Sequence, residues 1–159
     1  MKSLVKVRIP PSRDTTQLIT TIVGTSHVHE SSYRHDMTAN ADAPPIFHLS
    51  FPVDDLDEAI AFYSTLGGIL GRREMGWADV ALFGAQLTLQ HVPEDVLRPM
   101  PRSRHFGATL PWHDWAELVA QLTDFVEGPR IDYCGTEREQ AKAMLADPSG
   151  NLVELKAYR

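Results

Sequence analysis

The sequence predicts an α+β fold of two similar modules, each made of a strand, a helix and three further strands. Two observations carry this prediction. In each half of the chain the hydrophobic spacing changes from a two-residue to a helical period and back. The order of segments in residues 46–92 is then repeated in residues 104–159. The repeat has a period of roughly 55 residues, which is typical of duplicated structural units.

Length and composition predict the number of domains and argue against several kinds of partner. The 159 residues fit one domain, and the net charge of −6 comes without a basic patch, so we expect no nucleic-acid partner. No apolar run is long enough to cross a membrane, so we expect no membrane contact. Cys134 is the only cysteine, which excludes an internal disulfide, and we expect it in the core. These features predict a cytoplasmic protein.

The first part of the chain differs from the rest in composition. It is rich in Ser and Thr, and it lacks the apolar core and cleavage site of a secretory signal. The stretch "TANADAPP" that follows has the composition of a linker. We therefore predict a poorly ordered extension and linker over residues 1–44, with Met37 as a candidate alternative start. A single domain over residues 45–159 follows it.

The first module begins with a predicted strand, "IFHLSFPV" at 46–53. "DDLDEAIAFYSTLGG" then predicts a helix that Asp55 caps, with Glu58 three positions later, and that Gly67 and Gly68 end. Three more strands are predicted from "ILGRREM", "WADVALF" and "AQLTLQHV".

The second module repeats this order. "HFGATLP" predicts a strand, and "HDWAELVAQLTDFVEG" predicts a helix in which Asp114 and Glu117 repeat the cap of the first module. Three final strands are predicted from "PRIDYCG", "QAKAMLAD" and "NLVELKAY".

Polar residues alternate with apolar ones along the strands that open and close these modules. Side chains of a strand point to opposite faces in turn, so each strand has one apolar face and one mixed face. His48 and His105 lie on the mixed faces of the two opening strands, and Glu154 lies on that of the last strand. If the mixed faces meet, two imidazoles and a carboxylate form a ligand set for a divalent transition metal with positions left open.

Other polar residues on these faces are candidates to line the same cleft. They are Ser50, Thr88, Gln90 and Thr109. Simpler interpretations stay open, because a single histidine on a half-buried strand is often a hydrogen-bonded structural residue and Glu154 is also compatible with an exposed position on an edge strand. The matching places of the three residues in a repeated unit favour the metal site. No short metal-binding motif links the three candidate ligands.

The chain resembles the vicinal oxygen chelate superfamily, which includes glyoxalases, bleomycin and fosfomycin resistance proteins and extradiol dioxygenases. The resemblance rests on "FHLSFPVDDLDEAIAFY", on "DPSGNLVEL" and on "HFGATL", and it covers about residues 46–159. It is greatest to single-domain proteins described as predicted extradiol-type dioxygenases. It implies an open, cup-shaped mixed sheet with the helices on the outside.

The resemblance also implies a ligand set and a class of reaction. His48, His105 and Glu154 correspond to the ligands of ferrous extradiol enzymes, so we expect Fe(II), with Mn, Zn and Ni as alternatives. The substrate would be a small molecule with adjacent oxygens. Gln90 lies nearest to the place where glyoxalases add a fourth ligand. A homodimer whose second copy completes the cleft is also compatible with the resemblance.

One departure from the family affects catalysis. Met144 occupies the position of a tyrosine in larger extradiol dioxygenases, so the usual acid–base group is missing. Tyr158, with Gln90, is a candidate to replace it, and His91, His113 and Tyr133 are others. Two alternatives to a dioxygenase-like enzyme remain: a glyoxalase-like isomerase or lyase, and a metal-free small-molecule-binding protein of the resistance type.

Overall fold

The computed structural model describes residues 44–159, which include all the predicted elements of both modules. The first module contains β1 (His48–Val53), α1 (Leu56–Thr65), β2 (Ile69–Arg73), β3 (Trp77–Leu82) and β4 (Ala85–His91). After a short 3-10 turn, the second contains β5 (His105–Thr109), α2 (Trp112–Ala120), β6 (Glu127–Asp132), β7 (Gln140–Ala146) and β8 (Leu152–Tyr158). The predicted order of elements is confirmed.

Each module forms its own four-stranded mixed sheet. The strand order is β1-β4-β3-β2 in the first sheet and β5-β8-β7-β6 in the second. The opening strand of each module is parallel to the closing one, and the other pairs are antiparallel. The predicted α+β class, with two open sheets built on the same plan, is therefore confirmed.

The apolar faces of both sheets and one side of each helix share a single core. Phe51 of β1 and Phe106 of β5 are in contact across the module boundary, with ring centroids 5.1 Å apart. Tyr63 of α1 packs against both rings. The core therefore lies on the helix side of each sheet, and the predicted mixed faces are left on the other side.

The "DPSGN" turn before β8 joins the two modules through hydrogen bonds. The Ser149 hydroxyl accepts from the backbone N–H of Asp54 at 2.8 Å, and the Asn151 amide donates to the carbonyl of Pro52 at 3.0 Å. The Tyr63 hydroxyl donates to Asp147 at 2.9 Å. Burial raises the pKa of Asp147 although hydrogen bonds from Asn151 and Tyr63 oppose the rise, and burial likewise raises the pKa of Tyr63.

The two helices begin differently. Asp55 caps α1 as predicted, because its carboxylate accepts from the backbone N–H groups of Asp57 and Glu58. The predicted cap of α2 is wrong: the helix begins at Trp112, with Pro111 at the N-cap position and no side-chain cap. Asp114 therefore lies inside the first turn, where a carboxylate interacts with the helix dipole instead of capping the helix.

Two further expectations are corrected. Cys134 is exposed instead of lying in the core. The helix α2 ends at Ala120, several residues earlier than predicted, and Glu127 begins β6. No helix among residues 44–159 is long and apolar enough to span a membrane. Residues 1–43 lie outside the described part of the chain, so the extension and the role of Met37 stay predictions.

Candidate functional site

The second module brings two of the predicted ligands into contact. His105 and Glu154 lie on the mixed face of the sheet, and His105 Nε2 is 3.3 Å from Glu154 Oε2. Gly107 pairs with Glu154, and the absence of a side chain at this position lets β5 approach the backbone of β8 closely. A Cβ atom at Gly107 would lie 1.8 Å from the Glu154 carbonyl oxygen, so no other residue fits there without moving a strand.

The hydrogen bond of one ring nitrogen of His105 determines the role of the other nitrogen, which faces the Glu154 carboxylate. Its Nδ1 lies 2.8 Å from the carbonyl oxygen of Arg102. A carbonyl oxygen only accepts, so Nδ1 carries a proton. In a neutral imidazole Nε2 then presents a lone pair to Glu154, and two acceptors at this distance require a cation between them or a proton on Nε2. This arrangement, with one nitrogen held by a backbone carbonyl, is typical of a metal-binding histidine.

Lys156 occupies the other side of the same carboxylate. Its Nζ lies 2.7 Å from Glu154 Oε2, the atom that also faces His105. The hydrogen bond to Glu154 raises the pKa of the Lys156 ammonium above its usual value, although burial acts in the opposite direction. In this structure the Lys156 ammonium is therefore the group that neutralises the Glu154 carboxylate.

The residues that pair with Glu154 on the two adjacent strands are Gly107 on β5 and Met144 on β7. Met144 is buried and lies directly across from Glu154 on β7, where a hydroxyl-bearing residue would be needed for the usual acid–base chemistry. Tyr158 is exposed and lies four residues further along β8, roughly 13 Å from Glu154. The structure therefore does not bring this predicted catalytic candidate to the His105–Glu154 contact.

The first module carries the third predicted ligand on the corresponding face. His48 is exposed and begins β1, as His105 begins β5. The predicted cleft residues Ser50 and Gln90 are joined by a hydrogen bond of 2.5 Å from the Gln90 amide. Thr109, the fourth predicted cleft residue, is exposed on the second module, across from Lys156.

Strand register corrects the predicted place of a fourth ligand. Ser50 pairs with Thr88 in the first module as Gly107 pairs with Glu154 in the second. Thr88 is therefore the counterpart of Glu154, and Gln90 is the counterpart of Lys156.

The Thr88 hydroxyl is hydrogen-bonded to a neighbouring carboxylate. Its hydroxyl donates to Asp79 at 2.6 Å, and Arg72 contacts the other oxygen of Asp79 at 2.7 Å. Burial acts to raise the pKa of Asp79, but hydrogen bonds from Thr88, Gln86 and Arg72 outweigh it, and the pKa is lowered. Asp79 is thus a paired carboxylate within the mixed face.

The three predicted ligands do not form a complete group. Among residues 44–159 no three His, Cys, Asp or Glu side chains lie close enough to hold one metal ion. The His105–Glu154 pair does fit a metal: two ligand atoms each about 2.1 Å from an ion lie roughly 3.0–3.4 Å apart at the usual angles, and the observed separation is 3.3 Å. Of the three predicted ligands, His105 and Glu154 are in contact and His48 does not join them.

A separate cavity opens between the modules. It has a volume of about 260 Å³ and is lined mainly by apolar side chains of both sheets, among them Leu49, Leu87, Phe106 and Val153. Phe47 and Phe83 lie at this cavity and are exposed. Such a cavity is typical of a site for an apolar small molecule.

The two modules, each with the order βαβββ, agree with the comparison to known proteins. Residues 45–155 match the glyoxalase/bleomycin resistance protein/dioxygenase superfamily. The chain belongs to this superfamily.

Individual relatives cover most of the described residues. The chain is similar to virulence protein STM3117 of Salmonella typhimurium, with 28% identity over an alignment of 140 residues and coverage of 83% of this chain and 96% of that protein. It is similar to a glyoxalase/bleomycin resistance protein/dioxygenase of Alicyclobacillus acidocaldarius, with a TM-score of 0.61, 31% identity and coverage of 72% of this chain and 91% of the other. A bleomycin-binding protein solved with bleomycin matches with a TM-score of 0.51, 27% identity and coverage of 73% and 100%.

Sequence reasoning missed several groups around Glu154. The position of Lys156 could have been predicted from the sequence, because it lies two residues from Glu154 and therefore on the same face of β8. The carbonyl of Arg102 and the close approach at Gly107 depend on tertiary structure, and no local pattern indicates them.

Proposed function

We propose that this protein is a divalent-metal-dependent enzyme that binds a small molecule through two neighbouring oxygens, with dioxygenase-like chemistry. The single observation that supports this most is the 3.3 Å contact between His105 Nε2 and Glu154 Oε2, with Nδ1 of the imidazole already engaged by a backbone carbonyl. A cation between the two groups is one of the two ways to satisfy this contact, the other being a proton on Nε2, and the separation suits a metal ion.

His105, Glu154 and His48 would hold the ion, as two imidazoles and one carboxylate. His48 would join by a turn of its exposed side chain or from a second copy of the chain. When bound, an ion such as Fe(II), Mn, Zn or Ni would supply Lewis-acid and template chemistry for two substrate oxygens.

The chain's own residues would shape the rest of the site. Arg102 fixes the His105 ring through its carbonyl, and Gly107 allows β5 to approach the backbone of β8 at Glu154. Met144 covers one side of Glu154 and limits access of water. The Ser50–Gln90 pair offers a hydroxyl and an amide to a polar group of the substrate.

A second candidate function is metal-free binding of an apolar small molecule. Two observations favour it: the cavity of about 260 Å³ between the modules and the similarity to a bleomycin-binding protein. The cavity is lined mainly by side chains of the apolar faces, with Gly107 and Thr109 of the mixed face also in its lining, whereas His105 and Glu154 do not line it.

Titration with Co(II) tests the proposal. We expect visible d–d absorption bands that saturate near one equivalent and that change when catechol, which carries two neighbouring oxygens, is added. His105→Ala should abolish the bands. His113→Ala should keep them, because His113 is exposed on α2 and pairs with Glu117. Absence of the bands in the wild type, together with saturable binding of the apolar dye N-phenyl-1-naphthylamine, would favour the second candidate instead.

A further inference from the structure

The cavity between the modules has one wall that is not formed by apolar side chains. Its lining includes Gly107, Ala108 and Thr109, which are successive residues of β5. Side chains of a strand alternate between its two faces. Successive residues therefore line one cavity where the edge of the strand, with its backbone groups, faces that cavity.

Among residues 44–159, β5 has a neighbouring strand on one side only. It is the first strand in the order β5-β8-β7-β6, and it is parallel to β8. The edge that faces away from β8 is therefore open in this part of the chain. An open strand edge carries backbone N–H and C=O groups that no second strand engages.

Thr109 is the cavity residue whose backbone groups point away from β8. The N–H of the next residue, Leu110, donates to the carbonyl of Lys156 at 2.8 Å, and Lys156 is the residue that pairs with Thr109. Backbone groups of successive strand residues point to opposite edges, so the N–H and C=O of Thr109 point to the open edge. Thr109 is exposed, and no turn or loop hydrogen bond of the described residues engages either group.

The cavity therefore combines apolar walls with a polar edge. Leu49, Leu87, Phe106 and Val153 offer apolar contact, while Thr109 offers one backbone donor and one backbone acceptor. A purely apolar ligand would cover both backbone groups without replacing their hydrogen bonds to water, which costs free energy. A ligand that carries its own N–H and C=O avoids this cost.

We propose that this cavity binds an apolar small molecule that carries an amide, and that the amide exchanges hydrogen bonds with the backbone N–H and C=O of Thr109. The pattern is that of a hydrogen-bonded residue pair in an antiparallel sheet, in which each residue donates once and accepts once. The volume of about 260 Å³ favours a small molecule, since small-molecule sites begin at roughly 300 Å³. This inference rests on the second candidate function, narrows its ligand class and requires no metal ion.

Displacement of the dye N-phenyl-1-naphthylamine tests this inference with two matched competitors. N-acetyl-L-phenylalanine methylamide carries two amides, and methyl (S)-2-acetoxy-3-phenylpropanoate has the same skeleton with an oxygen atom in place of each N–H. The ester is the more apolar of the two, so burial of apolar surface alone favours the ester. We expect the amide instead to bind at least about fivefold more tightly, the effect of one additional hydrogen bond.

Two variants assign the difference to Thr109. Thr109→Pro removes the backbone N–H, and proline on an open strand edge leaves the pairing with β8 intact. Dye binding should therefore persist in Thr109→Pro, while the preference for the amide is lost. Thr109→Val keeps the N–H and removes only the hydroxyl, so this matched control should keep the preference.

The outcomes separate this inference from the function on which it rests. An ester that binds the wild type as tightly as the amide, or a preference that survives in folded Thr109→Pro, would overturn this inference alone. If Thr109→Pro does not fold, as judged by circular dichroism, the comparison of the two competitors on the wild type decides. If the dye does not bind the wild type, the second candidate function and this inference fail together.

Discussion

Gly107 sets the distance between β5 and β8 at the candidate site. A Cβ atom there would lie 1.8 Å from the carbonyl oxygen of Glu154, and a backbone atom cannot move aside as a flexible side chain can. The same close approach of β5 and β8 brings His105 and Glu154 onto neighbouring strands, where their side chains are in contact. The tolerance of this single position therefore reports on both the stability of the sheet and the geometry of the site.

We predict that Gly107→Ala lowers the free energy of unfolding by roughly 1–3 kcal/mol, the range for overpacked positions. Urea denaturation followed by circular dichroism measures it. Gly76→Ala is the matched control, because nothing lies within 4 Å of a Cβ atom at Gly76, and it should change stability by no more than about 0.5 kcal/mol. Equal stability of the two variants would contradict the described strand approach.

Asp79 makes stability depend on pH in the acid range. Burial acts to raise its pKa, but hydrogen bonds from Thr88, Gln86 and Arg72 outweigh burial and lower it. A carboxyl with a lowered folded-state pKa contributes stability above its unfolded pKa of about 3.9, and this contribution is lost as the pH falls through the folded pKa.

We therefore expect the wild type to lose more stability than Asp79→Asn when the pH is lowered from about 5 to about 3. Thermal unfolding at several pH values measures the difference. Asp95→Asn is a control, since Asp95 lies in the exposed turn after β4. Parallel pH profiles for the wild type and Asp79→Asn would show that Asp79 is not paired as described.

The elements show where sequence patterns were sufficient. Alternation along β1, β5 and β8 predicted the faces correctly, because a strand fixes the direction of each side chain. The contact between His105 and Glu154 across 49 positions follows from those faces and the parallel pairing of β5 with β8. The exact register was not predictable, which is why Gln90 was matched to the place that Thr88 occupies.

The start of α2 shows where the patterns failed. Asp114 and Glu117 match the capping spacing of the first module, but Pro111 occupies the N-cap position and the helix begins at Trp112. Proline suits the position before a helix because its φ is fixed and its nitrogen needs no hydrogen-bond partner. The same residue spacing occurs when an aspartate caps a helix and when it lies inside the first turn. The sequence alone does not distinguish the two positions.

This difference gives a prediction for the helices. Asp55→Ala should destabilise the protein by about 1 kcal/mol, because the Asp55 carboxylate accepts from two backbone N–H groups. Asp114→Ala should cost no more than about 0.5 kcal/mol, since it removes only a favourable charge in the first turn. Chemical denaturation of both variants checks this, and a larger effect at Asp114 would favour the cap predicted from sequence.

At the scale of the whole molecule, the "DPSGN" turn couples the modules. Asp147, Ser149 and Asn151 each contact residues of the first module or support the turn that does. The motif that most resembles the superfamily thus positions β8, and with it Glu154, relative to β1.

Removing one bond of this connection should destabilise the whole described unit. We predict that Tyr63→Phe costs about 1–2 kcal/mol, because the buried Asp147 carboxylate loses a donor. Tyr133→Phe is the control: Tyr133 is exposed, and phenylalanine keeps the ring on which Arg138 lies. Denaturant unfolding should remain a single transition in both, and an unchanged midpoint for Tyr63→Phe would contradict the coupling.

The most direct test of the central claim is the metal content of protein purified without oxygen and reconstituted with Fe(II), Mn, Zn or Ni. Elemental analysis should find about one equivalent per chain in the wild type. Glu154→Ala should lose it, because the 3.3 Å contact with His105 disappears. Glu117→Ala, which removes an exposed glutamate of α2, should retain it. A wild type that binds none of the four metals would contradict the claim and leave metal-free binding as the function to pursue.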